Sequence, residues 1–428
     1  MPTRHKNQAA TADSPQAPIP TRRKFLQIGG ALGAGVALGG VSGKALAAAA
    51  AKTAPGTADL PFANGLRQMA TFPQKRSLIL LTSRPPQLET PFAVFNEGIF
   101  TPNDAFFVRY HWSAIPTNVN PETYRLNIKG KVNTPLTLSL DEIKKMGRVE
   151  LAAAHQCSGN SRGFVNPRVP GGESGNGAMG NARWTGVPLK KILEKAGLQA
   201  GAVQVTFNGL DHPPVGNGPD FMKALDLDHA MDGEVMLAWA MNGADLPMLN
   251  GYPLRLIVPG YYGTYWVKHL SDIEVIDKTL DNFWMAKAYR IPDNSCACVA
   301  PGGAMTKSRP IGRFAIRSFI TSVLDGGKIP AAKPTLLRGF AFDGGYGITG
   351  VDVSADGGQT WRQAKLGENH GKYSFREWTL PFKPSKKGAL ELKVRAFNHI
   401  GQTQPAEVLW NPSGYMRNAI ETTRVTAV

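Results

Sequence analysis

The sequence predicts an α+β chain of two successive folded domains, a mixed α+β domain followed by an immunoglobulin-like β-sandwich. Three observations point there. The chain has 428 residues, more than one hydrophobic core usually organises. Its 47 Gly and 32 Pro favour loops and strands over a helical bundle. After about Pro301 the helical signal fades, and short strand-like runs follow one another between Gly, Asp, Pro and Lys turns.

The N-terminus comes first in chain order. Thr21-Arg22-Arg23-Lys24-Phe25-Leu26 precedes an apolar Gly/Ala-rich run to about Val41, and Lys44-Ala45-Leu46-Ala47 follows. That pattern is a twin-arginine export signal with an Ala-x-Ala cleavage site, so residues 1–47 are expected to be removed and the mature protein to work in the periplasm. The alternative is a membrane anchor, but the run is short and rich in Gly. No stable membrane insertion is expected after cleavage. The twin-arginine route carries folded proteins, which hints at a cofactor inserted before export.

Residues 48–77 are rich in Ala, Pro, Gly and Thr and read as a flexible mature N-terminus. The α+β domain is expected over 78–304. Phe106-Phe107-Val108-Arg109-Tyr110 and Leu254-Arg255-Leu256-Ile257-Val258 read as strands, and 187–196 as a helix with Pro188 at its start and Gly197 after its end. The sandwich is expected over 305–428, with strands at 314–323, 335–343, 347–355, 374–382 and 389–398 and a turn at Asp356-Gly357-Gly358.

Charge narrows the partners only partly. The formal net charge is +16, and residues 1–47 hold six Lys/Arg against one Asp, so the remainder carries +11. A basic surface suits nucleic acid, an acidic protein or small anions. No nucleic-acid-binding motif supports the first of these.

The chain has three cysteines, too few for a disulfide framework. In Ser295-Cys296-Ala297-Cys298 the spacing disfavours an easy bridge, leaving buried small hydrophobes, a redox pair or a weak metal clip. Cys157 lies in His155-Gln156-Cys157-Ser158-Gly159-Asn160-Ser161-Arg162-Gly163, a loop that exposes sulfur among small, polar and basic residues. Arg162 would favour the thiolate, the form that binds metal or attacks electrophiles. The spaced Cys/His partners of a protein-only metal site are missing from this stretch, so a metal here would need further ligands from a cofactor.

Gln156-Cys157-Ser158-Gly159-Asn160, followed by Gly177-Ala178-Met179-Gly180-Asn181-Ala182-Arg183-Trp184-Thr185-Gly186-Val187, resembles the molybdenum-cofactor segment of the sulfite oxidase family. The similarity continues through Asn208-Gly209-Leu210-Asp211, Met241-Asn242-Gly243, Gly251-Tyr252-Pro253-Leu254-Arg255 and Trp266-Val267-Lys268. The resemblance implies a molybdenum–pyranopterin dithiolene with Cys157 as the protein's thiolate ligand, and a family-type molybdopterin domain ahead of the sandwich. By the same resemblance Phe107, Arg109, His111, Arg162, Asp211, Asn250, Arg255 and Lys268 hold the cofactor, with Arg255 and Lys268 suited to its phosphate. Asn250 stands where vertebrate-type members have His. Arg109 and His111 share strand parity and can face one site. Together with Tyr289 and Arg417 they make the implied catalytic set; Arg417 is the match for the arginine that the family's C-terminal domain adds to the anion pocket.

The implied activity is oxidation of sulfite, or a related small sulfur anion, to sulfate. No Cys-x-x-Cys-His haem site occurs in the sequence, so no haem is expected in this chain and a c-type cytochrome is the expected electron acceptor. A homodimer, or a heteromer with a cytochrome subunit, fits the family. Two other readings compete: a sulfane dehydrogenase subunit of a thiosulfate-oxidising complex, and a non-catalytic periplasmic protein that binds anions or a partner.

Overall fold

The computed structural model describes residues 56–428. The export signal expected at 1–47 lies outside the described residues. Strands dominate and helices are few and short.

The segment expected to be loose is partly strand. Thr57–Asp59 and Leu66–Ala70 pair with each other, and the sheet continues in chain order through Leu78–Ser83, Pro86–Glu89 and Val108–Arg109. Its last strand carries Arg109, so this sheet delivers a site residue. Side chains bind the same segment to the body: the buried Lys75 donates to the carbonyls of Asn103 and Phe106 and to Asn250 Oδ1.

Two further sheets frame the site. One orders Lys223–Asp226, Gln204–Gly209, Leu270–Ile276, Arg125–Gly130 and Leu136–Ser139, with a parallel pairing between Leu270–Ile276 and Arg125–Gly130. The other orders Ala244–Asp245, Met236–Met241, Met179–Pro188 and Val149–Gln156, with Arg255–Ile257 also on Met236–Met241. Met179–Pro188 and Val149–Gln156 pair over eight residues, and the latter ends one residue before Cys157. The helix expected at 187–196 runs Leu189–Ala196, buries Leu189, Ile192, Leu193 and Ala196 on one face, and stops at Gly197 with φ +69°.

The five strands expected after residue 305 are present as Arg317–Ile320, Thr335–Phe342, Ile348–Ser354, Arg376–Phe382 and Gly388–Asn398. Glu421–Ala427 adds a strand that the sequence reading did not anticipate, pairing with Gly388–Asn398 over seven residues. These strands form two sheets that bury one core between them, with Leu337, Trp378 and Leu380 from one and Val351, Val353, Leu392, Val394 and Val425 from the other. A second core crosses the expected domain boundary. Phe319, Phe340, Phe342 and Phe375 belong to the same apolar cluster as Phe95, Phe106, Trp184 and Trp266.

One cysteine reading is corrected. Cys296 and Cys298 form a disulfide with Cα atoms 5.1 Å apart. Ala297 between them adopts φ +50°, a left-handed turn that brings the two side chains together, and this is the freedom that spacing alone did not reveal.

Candidate functional site

Cys157 is held by backbone geometry. Its N–H donates to Ala178 O at 2.9 Å, its carbonyl accepts from Asn160 N at 3.0 Å, and Asn160 Oδ1 accepts from Ala178 N at 3.0 Å. Ser161 follows at φ +71°, turning the chain away so that the free, half-buried thiol faces a cleft. Phe107, Arg109, His111, Asp211, Asn250, Arg255, Lys268 and Tyr289 line the same cleft. Nine of the eleven residues singled out in the sequence therefore come together, drawn from at least four sheets and loops.

Basic groups dominate the floor. Lys268 Nζ donates to Arg109 O at 2.6 Å and sits 4.0 Å from the Tyr110 ring centre. Burial pulls its pKa down to about 7, and Asp211 opposes that fall. Arg255 is fully buried near the indoles of Trp184 and Trp266, donating to Asn250 O and Trp266 O. Desolvation lowers its pKa to about 9, still high enough to keep the guanidinium charged. Burial raises the pKa of Asp211, with Lys268 pulling it back.

His111 and Tyr289 form a hydrogen-bonded pair, His111 Nε2 to the phenol. Phe221 stacks on the imidazole at 3.7 Å between ring centres. Burial, then the neighbouring Arg109, Lys268 and Lys223, hold His111 well below its ordinary pKa, so it is neutral; burial pushes the Tyr289 phenol up. The pair thus presents a protonated phenol steadied by a neutral imidazole.

Two expected residues stand elsewhere. Arg417 is not at the cleft: its guanidinium pairs with Glu421 Oε1 at 2.5 Å, a carboxylate shared with the buried Arg317 at 2.6 Å. Arg162 is also outside the lining, donating to Ser413 O and Gly172 O, with its guanidinium 5.0 Å from the Tyr415 ring centre. Asn250 lines the cleft, yet its amide is spent on the protein, accepting from Lys75 and donating to Phe107 O at 3.1 Å.

Sequence reasoning missed His155, Ser158 and Thr264. His155 lies on the strand that ends one residue before Cys157, two positions ahead of it, so side-chain alternation was the signal that could have found it. Its ring stacks on Trp266 at 4.5 Å. Thr264 comes from a distant turn and carries no local signal.

These residues fit a polar, anionic cofactor. His155 Nδ1, Ser158 Oγ, Arg255 Nε and Thr264 Oγ1 are buried cleft atoms without a hydrogen-bond partner in the protein, a costly arrangement that a ligand rich in oxygen and nitrogen relieves. Among the described residues no group of three or more His, Cys, Asp or Glu is placed to hold a metal by itself. A metal at Cys157 would accordingly take its other ligands from the cofactor.

Residues 112–284 match the family model described as oxidoreductase molybdopterin binding domain, and residues 308–427 match the Mo-co oxidoreductase dimerisation domain. The mitochondrial sulfite oxidase of Rattus norvegicus is 34% identical over 367 residues, covering 82% of this chain and 66% of that relative. Sulfite oxidase of Gallus gallus is 30% identical over 363 residues, covering 81% of this chain and 77% of the relative. The chain belongs to the sulfite oxidase family. It spans just under two thirds of the rat relative's length. Among solved structures of the family's fold, the sulfane dehydrogenase SoxCD from Paracoccus pantotrophus superposes with a TM-score of 0.68 at 26% identity, covering 80% of this chain and 85% of that one.

Proposed function

We propose that this member of the sulfite oxidase family is a molybdenum-dependent sulfite dehydrogenase, exported to the periplasm and delivering electrons to a c-type cytochrome. The observation that carries the reading is the free Cys157 thiol facing a cleft that also holds Arg109, Arg255 and Lys268. Cys157 would ligate the metal; Lys268, Arg255, His155, Ser158, Thr264 and Asp211 would hold the pterin and its phosphate. When bound, the molybdenum–pterin group supplies the two-electron redox chemistry. Sulfite and water become sulfate, two protons and two electrons.

The chain's own work is binding and orientation. Arg109 supplies fixed positive charge for a small dianion, and the Tyr289 phenol donates to one of its oxygens. His111, neutral and stacked on Phe221, fixes that phenol through its Nε2. Phe107 and Trp266 limit water around the anion and strengthen these contacts.

Sulfite-dependent reduction of ferricyanide or cytochrome c by the export-processed protein, with molybdenum assayed alongside, tests the reading. Turnover with about one metal per chain is the expected result. Bound metal without sulfite turnover shifts the substrate towards a sulfane sulfur, the reading favoured by the likeness to SoxCD. A protein free of metal from a cofactor-competent host overturns both and leaves the binding-protein alternative. The match to a dimerisation domain supports pairing of two copies through residues 308–427.

A further inference from the structure

Two residues before Arg417, which was expected at the anion, Tyr415 packs against a residue of the cleft instead. Its ring lies parallel to that of Tyr289, with centres 5.5 Å apart and an interplanar angle of 4°. The Arg162 guanidinium sits 5.0 Å from the Tyr415 ring centre.

The loop that carries Tyr415 is rigidly built. Asn411 Oδ1 accepts from the N–H of Ser413 and of Tyr415, each at 3.2 Å, while Asn411 Nδ2 donates to Tyr415 O at 2.8 Å. Arg162 Nε donates to Ser413 O, and Met416 N–H donates to Ser158 O beside Cys157. Gly414 adopts φ +60°, and a Cβ there would meet Val169 Cγ2 at 2.6 Å and Arg162 Cγ at 3.0 Å. The loop is therefore fitted against Arg162 and the Cys157 turn. Behind Tyr415 lies a second cavity of about 460 Å³, lined also by Arg309, Arg313, Asn411 and Met416. Tyr289 lines the first cleft and Tyr415 the second cavity, so the two stacked rings form the partition between them.

We propose that Tyr415 is a specificity-determining residue: its phenol donates to the sulfur oxyanion beside Tyr289, and its ring, packed against Arg162, sets the size limit of the substrate. The inference rests on the sulfur-oxyanion reading above. A sulfinate, R–SO2⁻, has the same reacting sulfur and becomes a sulfonate by the same balance, taking up water and releasing two protons and two electrons. Its organic group needs the space that the Tyr415 ring closes off.

The test uses holoenzyme and three proteins: wild type, Tyr415→Phe and Tyr415→Ala. Sulfate, a dianion that does not react, is titrated by calorimetry, and turnover of sulfite and benzenesulfinate is followed with ferricyanide. Tyr415→Phe keeps the stacked ring and is expected to raise the sulfate Kd and the sulfite KM together, by about tenfold, with kcat within about twofold. Tyr415→Ala is expected to gain benzenesulfinate turnover absent in wild type. Unchanged sulfate Kd in Tyr415→Phe overturns the contact, and failure of Tyr415→Ala to accept the sulfinate overturns the size limit. If wild type binds sulfate but does not oxidise sulfite, and Tyr415→Phe still weakens sulfate, the assignment of Tyr415 stands while the proposed sulfite activity falls.

Discussion

Replacing Cys157 by Ser swaps a soft sulfur for a hydroxyl of similar reach, while the backbone bonds to Ala178 and Asn160 that shape its turn remain. Turnover is expected to vanish with the melting curve nearly unchanged; near-normal activity in this variant would remove Cys157 as metal ligand. Tyr289→Phe takes away one donor and leaves the His111 nitrogen without its phenol. Sulfite KM should then rise about tenfold, which steady-state kinetics with ferricyanide will measure. At this scale the family resemblance made Arg109 and Lys268 legible through their own strings of neighbours, and Tyr289 through its spacing after Lys268. Tyr415 and Arg417 show where that stopped. Both lie in one short loop, and only the fold shows that Glu421 captures the arginine while the tyrosine meets Tyr289.

Among elements, the segment behind the Cys157 turn depends on one buried carboxylate. Glu89, on strand Pro86–Glu89, accepts from Gly175 N at 2.9 Å and Gly177 N at 2.8 Å. Desolvation pushes its pKa up to about 7, against the pull of those two N–H groups. A carboxyl whose folded pKa is raised binds its proton more tightly in the native state, so stability is greatest below its unfolded pKa. It declines as pH rises from about 4.5 to about 7, by up to about 3 kcal/mol. Glu89→Gln cannot titrate and lacks this slope. The stability gap between wild type and variant, measured by denaturant unfolding, should therefore narrow from pH 5 to pH 8; a constant gap would refute the assignment. Strand alternation made the sandwich strands legible, as did Pro188 and Gly197 the helix between them. Thr57–Asp59 and Leu66–Ala70 were hidden because their composition is that of a loop, and long-range contacts such as Lys75 with Asn250 hold their segment.

For the whole molecule, the decisive feature is the aromatic seam that crosses the expected boundary near residue 305. Phe92 meets Phe319 at 5.5 Å between ring centres, and Phe95 meets Phe340 at 5.7 Å and Phe375 at 6.4 Å. Arg317, buried in the sandwich, donates to Ser161 Oγ at 2.9 Å and Asn176 Oδ1 at 3.2 Å, so the same seam reaches the Cys157 loop. Neither link has a sequence signal, since the partners stand more than a hundred residues apart. Shared burial of this kind makes the two regions unfold together. Calorimetry of the holoprotein should give one endotherm. Phe95→Ala, which opens a cavity in the seam at a cost of about 3–5 kcal/mol, should move that endotherm down by a few degrees without dividing it. Two endotherms in wild type, or a variant in which one transition shifts and another stays, would mean that the sandwich folds on its own and holds the Cys157 loop only by contact.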